Sequence, residues 1–171
     1  MYLITGLPRI RSAWLAALFH TDQQPCLHAP GELPPRSSNY GIADPGIACI
    51  TPSHAAEFSR IAVIERPSKD SKKSLERWVG AKAKNWERID SAYEEFLEMV
   101  HILGTPHIKV PFAQLDDYNT VRGLHWFLTR RDLARIRFDN FSTLNIQQHL
   151  PKARAAYKDA LAKSAGHRPP A

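Results

Sequence analysis

The chain has 171 residues, of which 43% are hydrophobic and 23% are charged. This composition suits one globular domain, and it excludes a disordered chain and, with only two cysteines, a disulfide-rich scaffold. The formal net charge of +6 favours anionic partners such as nucleotides, and a basic surface without a specific ligand fits it equally well. We expect a single domain over residues 1–165 and a flexible tail over residues 166–171.

The chain shows no targeting or membrane signal. Its N-terminal segment lacks the basic region and apolar stretch of a secretory signal, and no apolar run approaches the ~20 residues that cross a bilayer. Neither the cysteines nor the histidines have the spacing of metal ligands. From these features we expect a cytoplasmic protein with no bound metal and no membrane partner.

Short apolar runs alternate with helical patterns along the chain. The runs are continuous, which is typical of strands covered on both faces in a parallel sheet. Strands are predicted at 2–5, 25–28, 47–50, 60–65 and 107–110. Helices are predicted at 12–20, 53–58, 89–103 and 153–161, and another runs from Asp116 or Asp117 to Leu128. The region 29–46, with four prolines and three glycines, is predicted to be a long loop, and long loops in compact domains tend to be functional or disordered.

Alternating strands and helices predict right-handed crossover connections. The expected fold class is therefore α/β, as a P-loop-type three-layer fold. Its sheet should be mainly parallel, with four to five strands and helices on both faces. The strand at 2–5 should lie in the interior of the sheet.

The first strand leads into a helix through a short basic loop, Gly6-Leu7-Pro8-Arg9-Ile10-Arg11-Ser12. A helix N-terminus attracts phosphate through its unpaired N–H groups and partial positive charge. Arg9 and Arg11 add two permanent charges, and Ser12 adds a hydroxyl donor. The loop resembles a Walker A loop but lacks Gly-Lys-[Ser/Thr]. An ordinary strand-to-helix turn is the alternative interpretation.

A second candidate phosphate site follows the strand at 60–65. In open α/β sheets, ligands gather at the carboxyl ends of the strands, where Arg66 lies. Ser74 follows eight residues later, about two turns along the next helix. Arg66 and Ser74 are therefore expected to flank a phosphate. The alternative is a solvated, lysine-rich start of a helix.

Together, the two segments resemble the sulfotransferases that use 3′-phosphoadenosine 5′-phosphosulfate, in particular small bacterial and phage members. In that family a strand leads into Pro-[Lys/Arg]-Ser-Gly-Thr-[Thr/Ser]-Trp, and the place is taken here by Pro8-Arg9-Ile10-Arg11-Ser12-Ala13-Trp14. The family also has an Arg and a Ser eight residues apart, as Arg66 and Ser74 are. Residues 41–48 and 110–115 look like further family segments. Ile10 and Arg11 replace the usual Ser-Gly.

The resemblance implies transfer of a sulfuryl group from that nucleotide to a hydroxyl or amine of a small molecule or glycan. Arg9 would be the catalytic basic residue, and Arg66 and Ser74 would hold the 3′-phosphate. The rest of the donor would be bound by Pro8, Arg9, Arg11, Ser12, Ala13 and Trp14. In the family, the serine donates to the 5′-phosphate and the tryptophan offers a face to adenine; core packing is the alternative for Trp14.

A sulfuryl transfer to a hydroxyl or amine also needs a base. His28 is the preferred candidate because the ordinary pKa of histidine, near 6.5, suits neutral pH. Glu32 and Asp44 in the following loop are its rivals. No metal is expected, because arginines can take over the charge role that Mg²⁺ has in phosphoryl transfer.

Two other classes of function stay open. A P-loop small-molecule kinase would need the missing Gly-Lys-[Ser/Thr] motif. A module without catalysis would bind either a nucleotide or a nucleic acid. The nucleic-acid version would use a basic stripe with two interleaved tryptophans, formed by Lys69, Lys72, Lys73, Lys82, Lys84, Trp78 and Trp86.

Overall fold

A computed structural model describes residues 1–30 and 39–143 of the chain. The centre of this part is a sheet of five strands, all parallel, in the order β2-β3-β1-β4-β5. The strands are β1 (Tyr2–Gly6), β2 (Cys26–His28), β3 (Gly41–Ala43), β4 (Arg60–Glu65) and β5 (His107–Pro111). The predicted parallel sheet is thus confirmed, and β1 is its central strand.

Helices cover both faces of the sheet. They are α1 (Ser12–Phe19), α2 (Pro45–Ile50), α3 (Ser68–Val79), α4 (Trp86–Ile102), α5 (Tyr118–Thr129) and α6 (Arg135–Ser142). One core cluster joins the sheet to α1, α5 and α6, and the other joins it to α2, α3 and α4. Because side chains alternate along a strand, Tyr2 and Ile4 of β1 enter the first cluster and Leu3 enters the second. The predicted three-layer α/β architecture is confirmed.

The strand predicted at 47–50 is wrong, because these residues belong to α2. Asp44 caps this helix by accepting a hydrogen bond from the backbone N–H of Gly46, and Pro45 occupies its first turn. Ile47, Ala48 and Cys49 are buried against the sheet, which explains three of the four residues of the apolar run, whereas Ile50 is 76% exposed. The third strand is instead the short β3, inside the region that was predicted to be one long loop.

Most other predicted elements are found with small changes of boundary. The helix predicted at 53–58 is a 3-10 helix, Pro52–Glu57. A second 3-10 helix, Phe112–Asp116, precedes α5, and Asp117 caps α5 by accepting from the N–H of Thr120. The helix predicted at 153–161, the tail at 166–171 and Glu32 lie outside the described residues.

The strand order creates a crevice between β1 and β4. The chain leaves β1 through α1 and moves to β2, whereas it leaves β4 through α3 and α4 and moves to β5 in the opposite direction. Neighbouring strands whose connections diverge in this way leave space between their carboxyl ends, the usual ligand position in open α/β sheets. The loop after Gly6 and the residues after Glu65 border this crevice.

Candidate functional site

The loop between β1 and α1 has an unusual backbone. Arg9 and Arg11 have positive φ angles of 74° and 61°, although neither is a glycine, and Ile10 between them has a negative φ. A chain whose φ changes sign at successive residues turns its N–H groups toward one concave side, which forms an anion-binding nest. The nest leads directly into the N-terminus of α1, whose first N–H groups have no partner within the helix.

Two side-chain hydrogen bonds hold this loop in place. The hydroxyl of Ser71, which is fully buried in α3, donates to the carbonyl oxygen of Pro8 at 2.8 Å. The guanidinium of Arg66, just beyond β4, donates to the carbonyl oxygen of Arg9 at 2.6 Å. Arg9 is the first residue of the loop with a left-handed φ; one acceptor is its own carbonyl oxygen, and the other belongs to Pro8, the residue before it. The β4–α3 segment therefore fixes the conformation of the basic loop.

Three arginines of the site each lie over an aromatic ring. The guanidinium carbon of Arg9 is 4.7 Å from the ring centroid of Trp78, and that of Arg66 is 4.4 Å from the ring centroid of Phe112. Arg11 lies 5.5 Å from the same Phe112 centroid. These distances are within the range of cation–π attraction, which orients a guanidinium without neutralising its charge.

Arg11 also has a carboxylate partner. Its guanidinium lies 2.5 Å from the carboxylate of Asp116, and both side chains are partly or largely exposed. A surface ion pair of this kind contributes little to stability, about 0.2–1 kcal/mol. An anion entering the loop would therefore have to compete with Asp116 for Arg11, at a modest cost.

A groove of about 630 Å³ lies beside the loop, and both residues of the predicted 3′-phosphate site line it. Its walls include the cations Arg66, Lys73 and Arg77 together with Ser74 and Phe112. Burial lowers the pKa of Arg66, and the charge of Arg11 lowers it further, against the nearby carboxylate of Asp70. Arg66 and Arg11 are therefore close enough to repel each other, and an anion between them would relieve that repulsion.

His28 contacts the start of α1. It is the last residue of β2, and its Nε2 lies 3.2 Å from the hydroxyl oxygen of Ser12. Burial lowers the pKa of His28 below its ordinary value of 6.5, against the opposing charge of Asp44. Burial also raises the pKa of Asp44, against its hydrogen bond from Gly46 and the charge of His28. Burial therefore favours the neutral imidazole of His28, the form that accepts a proton.

At the carboxyl edge of the sheet, the structure places Arg66 and Ser74 in the groove and Arg11 beside Arg66. The side chain of Arg9 lies over Trp78, and Ser12 and His28 form a separate contact at the start of α1. Pro8 contributes a buried backbone carbonyl, and Ala13 lies half-buried in the first turn of α1. Trp14 is different: it is only 7% exposed, and its Nε1 donates to the carbonyl of Phe141 at 2.7 Å. This geometry favours the core-packing role for Trp14.

Four residues of the site were not assigned to it from the sequence: Ser71, Trp78, Phe112 and Asp116. Ser71, Ser74 and Trp78 are spaced three and four residues apart, so they share one face of α3. That spacing is the one sequence signal that could have linked them to the loop. Phe112 and Asp116 had no comparable signal, because their positions depend on the pairing of β5 with β4.

The predicted basic stripe is not interleaved with exposed tryptophans. Lys69, Lys73, Lys82 and Lys84 are exposed, but Trp86 is only 4% exposed and belongs to a core cluster. Trp78 is partly buried beneath Arg9. Stacking of nucleic-acid bases needs accessible aromatic faces, which this arrangement does not provide.

No profile of a known protein family matches this chain, and no curated protein matches its sequence. Within the described residues, no helix combines the length and the apolar character needed to cross a membrane. In residues 1–30 and 39–143, no group of three or more His, Cys, Asp or Glu side chains could hold a metal ion. Function is therefore inferred from the geometry of the loop and the groove.

Proposed function

We propose that this protein is a P-loop-type, sulfotransferase-like enzyme whose donor is 3′-phosphoadenosine 5′-phosphosulfate. The observation that carries the proposal is the nest of Arg9 and Arg11 at the β1–β4 crevice, next to the groove of Arg66 and Ser74. A nucleotide with phosphate groups at both its 5′ and 3′ positions could place one anionic group in the loop and the other in the groove. The N-terminus of α1 adds to the attraction for the 5′ group.

The proposed reaction transfers the sulfuryl group to a hydroxyl or amine. The acceptor atom forms a bond to sulfur while the bond from sulfur to the bridging oxygen breaks, and adenosine 3′,5′-bisphosphate leaves with that electron pair. Arg9 would stabilise the negative charge that develops on the bridging oxygen. His28 would take the proton lost by the acceptor, because burial favours its neutral imidazole.

Asp44 is the described rival for the role of base. Its carboxyl is tied to the N–H of Gly46, and its raised pKa makes it a better proton acceptor than an ordinary aspartate. His28 is preferred because its Nε2 already contacts Ser12 at the start of α1. Glu32, the third candidate from the sequence, lies outside the described residues.

A second candidate function is a nucleotide-binding module without catalysis. The observation in its favour is that Arg11 is paired with Asp116 and Arg9 is stacked on Trp78, so both loop cations are already engaged. Such a module would bind adenosine 3′,5′-bisphosphate but would not transfer a sulfuryl group. Binding and turnover therefore separate the two candidates.

The experiment compares binding of adenosine 3′,5′-bisphosphate and adenosine 5′-monophosphate by titration calorimetry. We expect the bisphosphate to bind about tenfold or more tightly, since a charge-assisted hydrogen bond is worth about 1.5–3 kcal/mol. Arg66→Ala should remove most of this preference, and Ser74→Ala should reduce it. Arg88→Ala, an exposed arginine of α4, is the matched control and should leave it unchanged.

Equal binding of the two nucleotides would contradict the assignment of Arg66 and Ser74. Tighter binding of ATP with Mg²⁺ than of the bisphosphate would favour the kinase interpretation. Release of sulfate or sulfated product from 3′-phosphoadenosine 5′-phosphosulfate, in the presence of candidate acceptors, then distinguishes an enzyme from a module that only binds.

A further inference from the structure

Phe112 lies where the two halves of the site meet. Glu65 pairs with Pro111 in the parallel register of β4 and β5, so the next residues of the two strands, Arg66 and Phe112, leave the sheet side by side. Phe112 begins a 3-10 helix that is held by the fully buried Leu115, and its ring is half-buried against the core cluster of α1, α5 and α6. The ring therefore has a fixed position at the carboxyl edge.

Two guanidinium groups lie over this one ring. The guanidinium carbon of Arg66 is 4.4 Å and that of Arg11 is 5.5 Å from the Phe112 centroid. Arg66 belongs to the groove, whereas Arg11 belongs to the loop. Two like charges repel, and here the charge of Arg11 lowers the pKa of Arg66. The electron-rich face of the ring offsets part of that repulsion.

We propose that Phe112 is a positioning residue that sets the spacing between Arg11 and Arg66, so that one polyanionic ligand engages the loop and the groove together. This inference rests on the proposed nucleotide site. A leucine at this position would still fill the apolar space but would have no π face. Arg66 would keep its bond to the carbonyl of Arg9 and Arg11 its ion pair with Asp116, but the repulsion between the two guanidinium groups would no longer be offset by the ring. The entropic cost of holding both at the right spacing would then fall on the ligand.

The test compares Phe112→Leu and Phe112→Tyr with the wild type. Titration with inorganic pyrophosphate and with adenosine 3′,5′-bisphosphate, at fixed ionic strength, should show about tenfold weaker binding in Phe112→Leu. Phe112→Tyr keeps the ring and should bind within about twofold of the wild type. In an Arg11→Ala, Arg66→Ala background, Phe112→Leu should cause no further loss, because Phe112 acts through these two arginines.

Phe127→Leu is the matched control. Phe127 is also partly buried against the same core cluster, but its neighbour Leu128 accepts a hydrogen bond from Arg60 at the opposite, amino end of β4. This variant should lose comparable stability without losing affinity. Equal loss of affinity in Phe127→Leu, or no rescue by Phe112→Tyr, would overturn the proposal.

A measurement without ligand separates this inference from the proposed function. Protons held over an aromatic face resonate upfield, so the side-chain signals of Arg66 should be shifted in the wild type and in Phe112→Tyr, but not in Phe112→Leu; Arg11 also lies 5.9 Å from the ring centroid of Trp14, so its signals should keep part of their shift. Failure of the nucleotide to bind would overturn the proposed function and leave this result standing. Unshifted arginine signals in the folded wild type would overturn the positioning role.

Discussion

At the scale of single residues, the basic loop stores backbone strain. A residue other than glycine with a left-handed φ costs on the order of 1–2 kcal/mol, and this loop has two, Arg9 and Arg11. The hydrogen bonds from Ser71 and Arg66 to the loop carbonyls offset that cost. Strained residues of this kind cluster at ligand sites, which is consistent with the proposed role of the loop.

The sequence could identify the charges of the site but not their arrangement. Arginines after the first strand predict an anion site because their charge does not depend on conformation. The sign of φ at Arg9 does depend on tertiary structure, since bonds from Arg66 and Ser71 hold the loop. Trp14 shows the same limit: the motif gives its position, and only packing decides that its ring enters the core.

A prediction at this scale concerns catalysis by Arg9 and His28. Arg9→Ala should lower turnover on the order of a hundredfold with a smaller loss of donor affinity, because charge on the leaving oxygen develops only in the transition state. His28→Ala should also slow turnover, by about a hundredfold. Since the pKa of His28 lies below its ordinary value of 6.5, the wild-type rate should persist at pH 7 and fall only below about pH 6.5.

The measurement is the pH–rate profile of sulfuryl transfer for both variants. The acidic limb should disappear in His28→Ala and remain in Arg9→Ala. His101→Ala, an exposed histidine at the end of α4, is the control and should keep the wild-type profile. An unchanged acidic limb in His28→Ala would move the role of base to Asp44.

At the scale of elements, the prediction from the sequence was wrong where a short strand and a buried helix have the same apolar pattern. Ile47-Ala48-Cys49-Ile50 is a continuous apolar run, and such a short run does not distinguish the two by periodicity. Asp44 followed by Pro45 was the available signal, because that pair is typical of a helix N-terminus. The true strand β3 has only three residues and includes Gly41, so its own pattern is weak.

Longer elements were predicted well because their patterns were redundant. The helix ending near Gly104 combined a full amphipathic repeat with a C-terminal glycine, and α4 is found at Trp86–Ile102. For β4, a run of four apolar or small side chains between Arg60 and Glu65 left no competing interpretation, and β4 spans Arg60–Glu65. Redundant local signals therefore located the frame of the site, while the loop conformation required the assembled sheet.

The junction of β1 with the basic loop gives a prediction at this scale. Gly6 has a φ of 151°, and a Cβ at this position would lie 2.4 Å from the carbonyl oxygen of Ile64 in β4. Gly6→Ala should therefore force β1 away from β4 and destabilise the fold by about 3 kcal/mol or more. Urea denaturation followed by circular dichroism measures the free energy of unfolding.

Gly123→Ala is the matched control for Gly6→Ala. Gly123 lies within α5, and a Cβ there would meet no atom within 4 Å. Alanine lowers the entropy of the unfolded chain and suits a helix, so this variant should be about 0.5–1 kcal/mol more stable than the wild type. A Gly6→Ala variant as stable as the wild type would mean that β1 and β4 do not approach this closely.

At the scale of the whole molecule, buried titratable groups in helix α5 and at the carboxyl ends of the strands determine the response to acid. His125 of α5 is only 5% exposed; its ring packs edge-on against Phe19, and its Nδ1 lies 2.9 Å from the carbonyl oxygen of Arg131. Burial lowers the pKa of His125 below its ordinary value of 6.5, as it does for His28. Asp44 acts in the opposite sense at lower pH, because burial raises its pKa above its ordinary value of 3.8.

The last prediction is that the free energy of unfolding falls as the pH drops from 7.5 to 5.5. Below about pH 6.5 the unfolded chain protonates His125 and His28 before the folded protein does, so acid favours unfolding by at most about 1.4 kcal/mol per pH unit for each histidine. His125→Asn keeps an N–H donor for the carbonyl oxygen of Arg131 but cannot titrate. Urea denaturation at several pH values should therefore show a shallower decline of its free energy of unfolding with falling pH. His101→Asn, at an exposed position, is the control, and its free energy of unfolding should change with pH as that of the wild type does. If the free energy of unfolding of His125→Asn also changed with pH as the wild type's does, His125 would titrate alike in the folded and unfolded chains.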